Sequence, residues 1–342
     1  MDPSPAGTPG GLVDGPHPGT PTRFTGKDTR RADRIFAGIA RSAGILVLVI
    51  IGAIAVFLVL QARSSLGAVH GGLSGFLTQK QWSPDAPGHI FGIAALVFGT
   101  VVAAALALLF ATPVAVGVAL FTTEYAPRRL ASLVSSLTDL LAAVPSVIYG
   151  LWGALFLAPR MTGLGRFLTQ HFSGLPVIGA LFTNTTGNWT GSLFVAGVVL
   201  AVMILPIVTA IAREVFKQTP VLEKEAAIGL GATKLEMIRL TVLPFGKAGV
   251  VSGAMLGLGR ALGETIAVAL VLSAANVITP HILAPGGNTI AANVSLLFQE
   301  AGTIGRSALI ASGLVLFIVT FAVNFLARAI IARSGVAERS TV

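Results

Sequence analysis

Gly249-Val250-Val251-Ser252-Gly253-Ala254-Met255-Leu256-Gly257-Leu258-Gly259-Arg260-Ala261-Leu262-Gly263-Glu264-Thr265-Ile266-Ala267-Val268-Ala269-Leu270-Val271-Leu272 is an apolar run with two opposite charges near its middle. A helix needs about 20 apolar residues to cross a bilayer core, and this run supplies them. A charge at the bilayer centre costs about 2.5–3.5 kcal/mol on insertion scales, so such a pair faces a protein interior or a solute path. Arg260 and Glu264 stand four residues apart, which on one continuous helix puts them on one face.

Composition places the whole chain in the same class. Of its 342 residues 54% are hydrophobic and 11% charged, with mean hydropathy +0.85, whereas soluble domains carry about 25% charged residues. With no cysteine there is neither a disulfide framework nor a thiol nucleophile. His17, His70, His89, His171 and His281 lack metal-ligand spacing and read as loop residues. The net charge of +9 is spread along loops rather than gathered with aromatics on one face, which argues against nucleic acid.

Apolar runs bounded by charge give an all-α membrane protein with six crossings, near 43–62, 92–122, 133–157, 191–211, 248–272 and 307–327. The second is too long for one straight helix and contains Pro113. It is either one kinked element or two short helices. The basic residues set the orientation, because cytoplasmic loops retain Lys and Arg. With both termini inside, six lie in the N-terminal tail, two at Arg128 and Arg129, six between the fourth and fifth crossings and three at the end. Only Arg63, Lys80, Arg160, Arg166 and Arg306 fall outside, and Arg260 stays in the membrane. Residues 1–33, with prolines 3, 5, 9, 16 and 21 in the first part, form a disordered cytoplasmic tail rather than a signal peptide. Residues 34–332 make the six-helix transmembrane domain and 333–342 a second cytoplasmic tail. The outer segment 158–190 reads as an ordered loop or short interfacial helix, and a second outer segment runs over 274–306.

The most specific pattern lies between the fourth and fifth crossings, over about 217–246. Glu225-Ala226-Ala227 is followed by Gly231 and then by Leu243-Pro244. Physically this is a short amphipathic helix, a glycine turn near Gly229 or Gly231, and a second short helix ending before Pro244. Such a knob fits a groove on a soluble partner, although taken singly its residues also suit an amphipathic loop lying on the membrane. As a whole it resembles the EAA loop of ATP-binding-cassette importer permeases, with Thr241 where that pattern has Ile. Gly257-Leu258-Gly259-Arg260-Ala261-Leu262-Gly263-Glu264-Thr265 is similar to the signature of the phosphate importer's permeases. Pro145-Ser146-Val147-Ile148-Tyr149-Gly150-Leu151-Trp152-Gly153, Glu124-Tyr125-Ala126-Pro127-Arg128-Arg129, Ile204-Leu205-Pro206 and Arg213-Glu214-Val215-Phe216 resemble its PstC-type subunits over about residues 34–330. Asp139 stands where Glu is the more usual residue. The long outer loop after the first crossing, with Trp82, and Ala275-Asn276 favour that type over the sister PstA type.

The resemblance implies a type I ABC importer permease (MetI-like) fold in a bacterial inner (plasma) membrane. The chain would have no enzyme activity or cofactor of its own, ATP and Mg being used by partner ATPase subunits. Its implied partners are a sister permease (PstA-like), two ATP-binding subunits (PstB-like), an extracytoplasmic phosphate-binding protein (PstS-like) and membrane lipid. The residues agree: no Gly-x-x-x-x-Gly-Lys-Ser/Thr occurs, so this chain carries no phosphate-cradling ATP loop.

The site chemistry follows from the side chains. An Arg offers five donors in a planar fork that matches phosphate oxygens and never loses its proton. Glu264 on the same face holds that guanidinium when solute is absent and keeps anion binding weak enough for release. Thr265 adjoins the pair. Ser146, after Pro145, either donates to solute or makes an interhelical hydrogen bond, and Asp139 lies either at the cytoplasmic entrance or in the bundle. A purely structural Arg260–Glu264 pair is the competing reading, weakened because desolvation of a buried pair can exceed its attraction. Gly249, Gly253 and Gly257 on one face, and Gly259 and Gly263 on another, allow close helix approach. An other-oxyanion permease, an ion-coupled secondary transporter and an intramembrane enzyme are the alternatives. No inverted repeat supports the second and no nucleophile–base or metal motif the third.

The charge distribution makes a direct topological prediction. In intact cells a tag at residue 170 should be reached by an impermeant label and one at residue 235 should be protected; the reverse pattern refutes the orientation.

Overall fold

The computed structural model describes residues 28–176 and 178–333. Residues 1–27 of the expected N-terminal tail and 334–342 of the C-terminal one lie outside the described residues. The first helix, α1 (Asp28–Ala68), starts inside the stretch assigned to the tail. The chain divides into two units at Ile54/Ala55. Among the described residues the first holds the N-terminal part of α1, whose Ile45–Ile51 side chains are all exposed, as an apolar span in lipid requires.

The second unit continues with α2 (Gly72–Thr78) and a two-stranded hairpin, β1 (Trp82–Ser83) and β2 (Ile90–Phe91). Then come α3 (Ala94–Leu120), α4 (Arg128–Ala143), α5 (Ser146–Trp152), α6 (Ala158–Phe172) and α7 (Gly179–Phe182). They are followed by α8 (Leu193–Lys217), α9 (Val221–Gly229), α10 (Lys234–Met237) and α11 (Leu243–Leu262). The chain ends with α12 (Ile266–Val271), α13 (Ile290–Leu297) and α14 (Thr303–Arg333). Six helices among the described residues are long and apolar enough to cross a membrane: Asp33–Ala68, Ala94–Tyr125, Ser146–Phe172, Leu193–Lys217, Lys234–Leu262 and Thr303–Ala329. The number matches the sequence reading, but two crossings are placed differently.

The third crossing is not 133–157. Val144 before Pro145 is extended (φ −66°, ψ 128°), because a proline disfavours the α region in the residue ahead of it. That break separates α4 from a crossing that runs on to Phe172, through much of the segment expected to be an outer loop. The fifth crossing does not run through to residue 272 as one helix; it stops at Leu262 and restarts as α12.

The second crossing stays one element despite Pro113, and ends in a π-helical turn at Phe121–Tyr125. Two more π turns occur at Gly153–Leu157 and Ile238–Val242. Each finishes two residues before a proline, at Pro127, Pro159 and Pro244. A proline lacks the N–H and crowds the carbonyl four residues back, and the wider turn relieves both demands without ending the helix outright. At Pro127 the chain leaves the helix; at Pro159 and Pro244 it continues.

Packing centres on α8, the most buried of the six spans. On one side α3 presents Ala103, Ala107, Ala111, Ala115 and Ala119, each at most 1% exposed and spaced by four. On the other, α11 presents Gly246, Gly249, Gly253 and Gly257 to Phe216, Val215, Ile211 and Val208 of α8. Lipid tails are as apolar as leucine, so helix association relies on close van der Waals contact, which small residues permit. The second glycine face expected from Gly259 and Gly263 does not pack this way. A Cβ at Gly259 would meet nothing within 4 Å, and one at Gly263 only its own helix carbonyls.

A separate apolar cluster, with Phe76, Phe91, Ile93, Ile290 and Ala308, fastens the hairpin to α13 and α14. The Asp85 carboxylate accepts from the backbone N–H groups of Gly302 (2.9 Å) and Gly305 (2.8 Å) and so caps the start of α14.

The α8–α11 contact is testable. Gly249→Leu drives a side chain into Val215 and should cost about 1–3 kcal/mol through overpacking, read as a lower melting temperature and yield of the detergent-extracted protein. Gly259→Ala should lower neither.

Candidate solute site and the loop between the fourth and fifth crossings

The break in the fifth crossing decides the geometry around the two intramembrane charges. Arg260 sits in the last turn of α11, and Gly263 caps that helix. Glu264 lies in the break, 8% exposed, and its Oε1 accepts the N–H of Ala267 in the first turn of α12 (3.3 Å). The continuous helical face expected to align the pair therefore does not exist. Among the described residues Arg260 forms no ion pair, with Glu264 or any other carboxylate. The carboxylate is instead held at the amide end of α12, while Arg260 stays in the last turn of α11.

Thr265 is the N-cap residue of α12 but its side chain makes no capping bond, since the Glu264 carboxylate takes the available N–H. α5 packs on α12: a Cβ at Gly150 would come 2.7 Å from Ala267 Cα. Tyr149 of α5 is 6% exposed and donates to the Leu141 carbonyl (2.7 Å), bridging the Val144–Pro145 break. Ser146, three residues earlier at the start of α5, is partly buried, and no interhelical hydrogen bond of its hydroxyl is found among the described residues. Arg260, Glu264 and Thr265 thus lie at the α11–α12 break, and α5, which carries Ser146 and Tyr149, packs on α12.

Asp139 pairs elsewhere. Its carboxylate faces Arg213 of α8 at 3.7 Å, and their side chains are 64% and 14% exposed. The Nε and Nη1 atoms of Arg213 are buried without a hydrogen-bond partner. Tyr149 and Arg213 were visible in the sequence only as parts of longer motifs. Nothing in local spacing marks them, because their partners come from other helices.

The loop between α8 and α11 has the expected first arm and a different second one. α9 ends at Gly229, and the turn is made by Gly231, whose φ of +90° favours glycine. Thr233 and Glu236 then form a capping box that opens α10. α10 does not end before Pro244. It passes through the π turn Ile238–Val242 directly into α11, so the second arm is the beginning of the helix that ends at Arg260. Glu225 and Ala226 are exposed, while Ala227 is partly buried against Met237 and Val242. Leu243 and Pro244 begin α11, where the preceding π turn accommodates the missing N–H of Pro244. Leu222 is 80% and Leu230 91% exposed at the outer rim of the knob.

Comparison with known proteins fits this architecture. The family model described as "Binding-protein-dependent transport system inner membrane component" matches residues 111–335. "Phosphate transport system permease protein PstC 2" of Mycobacterium tuberculosis is 45% identical, over 89% of this chain and 93% of that protein. The PstC protein of Mycobacterium leprae is 45% identical over 91% and 97% of the two chains, and that of Mesorhizobium japonicum 39% over 88% and 90%. In fold the chain is similar to a subunit in the crystal structure of a bacterial alginate ABC transporter with an alginate pentasaccharide-bound periplasmic protein, with a TM-score of 0.58, 17% identity and coverage of 90% and 96%. A second alginate ABC importer structure gives a TM-score of 0.53 at 18% identity over 90% and 98%. The chain belongs to the family of binding-protein-dependent transport system inner membrane components, as a multi-pass permease of the inner membrane.

Proposed function

We propose that this chain is the PstC-type permease subunit of an ATP-driven inorganic phosphate importer and forms half of its translocation pathway. The observation that carries the reading is Arg260. It is a guanidinium inside a membrane span with no carboxylate partner among the described residues, at a helix break, in a chain whose relatives bear the name phosphate permease. Moving phosphate through hydrocarbon requires donors and positive charge in place of water, and Arg supplies both in a geometry matched to the anion. Glu264, held at the start of α12, keeps a negative charge close in sequence and disfavours tight capture. Thr265 and Ser146 flank this place as hydroxyl donors. Asp139, paired with Arg213, is assigned to the wall of the pathway nearer the loop rather than to solute contact.

One bundle offers one such wall, which supports a pathway completed by a PstA-like sister permease. We assign the knob of α9 and α10, with Glu225, Ala226, Ala227 and Gly231, to docking of the PstB-like ATP-binding subunits, where ATP and Mg are used. A PstS-like binding protein would deliver phosphate at the outer face. Both termini are cytoplasmic in this arrangement. The chain itself binds no cofactor and catalyses no reaction.

Two variants test the assignment. Arg260→Gln keeps a polar, though shorter, side chain and removes the charge and the fork. A hydrogen bond to a charged group contributes about 1.5–3 kcal/mol, so phosphate uptake per assembled complex should fall about tenfold or more. Because Arg260 makes no ion pair, assembly should be unaffected, and uptake should stay low when Glu264→Gln is added; near-normal uptake in that double variant sinks the pathway role. Gly231→Val places a β-branched residue at φ +90°, where even an unbranched side chain costs about 1–2 kcal/mol. The variant should insert normally yet fail to retain the ATPase on purification, and full retention with normal uptake removes the loop from that role.

A further inference from the structure

The motif Glu124-Tyr125, at the inner end of α3, is the part of the sequence pattern to which the pathway and the docking knob assign no task. In the structure its two residues grip the two arms of the loop separately. Glu124 Oε1 lies 2.6 Å from Lys224 Nζ in α9, and the two side chains are only 7% and 19% exposed. Lys234 of α10 sets its ammonium 4.6 Å from the centre of the Tyr125 ring, a cation–π contact. Lys224 and Lys234 stand on opposite sides of the Gly231 turn, so neighbouring residues of α3 hold both halves of the knob.

The π turn at Phe121–Tyr125 builds this grip. It closes with the Ala126 N–H donating to the Phe121 carbonyl (2.8 Å), and Pro127 then ends the helix. Thr122 and Thr123 turn their hydroxyls back on the carbonyls of Ala119 and its neighbours, at 2.9 and 3.0 Å. Under the ion pair lies a closed apolar cluster of Ala119 from α3, Ala212 and Phe216 from α8, and Met237, Ile238 and Val242 from the loop. The knob cannot tilt on its own without opening that cluster and parting a nearly buried ion pair. Leu222 and Leu230 of the knob remain exposed.

We propose that Glu124, seconded by Tyr125, is a transmission residue: it couples movement of the α9 arm to α3, while the α10 arm moves α11 through unbroken helix. The inference rests on the reading of the knob as the ATPase dock. A nearly buried ion pair is a poor source of stability, since its desolvation offsets its attraction; what it does enforce is a fixed registry between the two elements it joins. Breaking the pair should therefore leave docking and hydrolysis in place and lose the conversion of hydrolysis into transport. Glu124 touches neither solute nor nucleotide in this scheme, and acts through Lys224.

The experiment uses the whole importer in proteoliposomes and measures phosphate moved per ATP hydrolysed. Glu124→Gln should keep the ATPase bound and hydrolysing but lower that ratio about tenfold. The reversed pair Glu124→Lys with Lys224→Glu should recover most of the loss, whereas Lys224→Glu alone should not. An unchanged ratio in Glu124→Gln overturns the proposal. So does a reversed pair that assembles and hydrolyses yet stays uncoupled. The underlying reading is checked independently with Leu222→Glu and Leu230→Glu together on the outer rim. If the ATPase still co-purifies with that variant, the knob is not the dock and the premise fails, whatever Glu124 does.

Discussion

The close approach of α3 and α11 to α8 is the constraint on which the rest of the molecule depends. Within lipid there is little hydrophobic gain in bringing apolar helices together, so the contact is made by atoms that can come near: an alanine stripe on α3 and a glycine ladder on α11. The α11 residues at this interface are small because α8 supplies the bulk, through Phe216, Val215, Ile211, Val208 and Ile204. That three-helix slab holds α11, and the end of α11 is where Arg260 stands. A bulky residue on the ladder would disturb the position of the charge as well as the packing.

Against this rigid slab the chain sets several local departures from the α-helix, and nearly all of them carry a side chain of consequence. The break at Gly263–Thr265 interrupts the face that would align the cation and the carboxylate, and gives the carboxylate the amide end of α12 instead. The extended Val144 ahead of Pro145 lets α5 start afresh beside α12, and Tyr149 then ties α5 back to α4. Of the three π turns, one presents Glu124 and Tyr125 and another joins the loop to α11 without a stop. Each precedes a proline by the same interval, which gives a common cause in backbone chemistry for features with different roles.

The residues of the loop also change meaning once α3 is beside them. Lys224 and Lys234 are, in the sequence, two of the six basic residues that mark a cytoplasmic segment. In the folded chain they are partners of Glu124 and Tyr125, about a hundred residues away. In the proposed importer this gives the knob two mechanical outlets. One runs through continuous helix to Arg260, and the other through an ion pair to α3.

By itself the sequence determined the membrane class, the number of crossings, the place of the loop between the fourth and fifth crossings and its glycine turn, and three of the four glycines of the α11 ladder. These follow from hydropathy, composition and spacing, which act over a single helix or turn and need no partner. Tertiary structure alone decided the rest. The third crossing lay one break further on, because an amphipathic α4 and an apolar α5 merge into one hydropathy peak when Pro145 is read as a kink instead of an end. Arg260 and Glu264 parted because their spacing of four describes a face only where the helix persists, and whether it persists past Gly263 depends on how α12 packs against α5. Asp139 found Arg213, and Glu124 found Lys224, across distances in sequence that no local period records, since an ion pair is set by which helices meet and not by the residues between them.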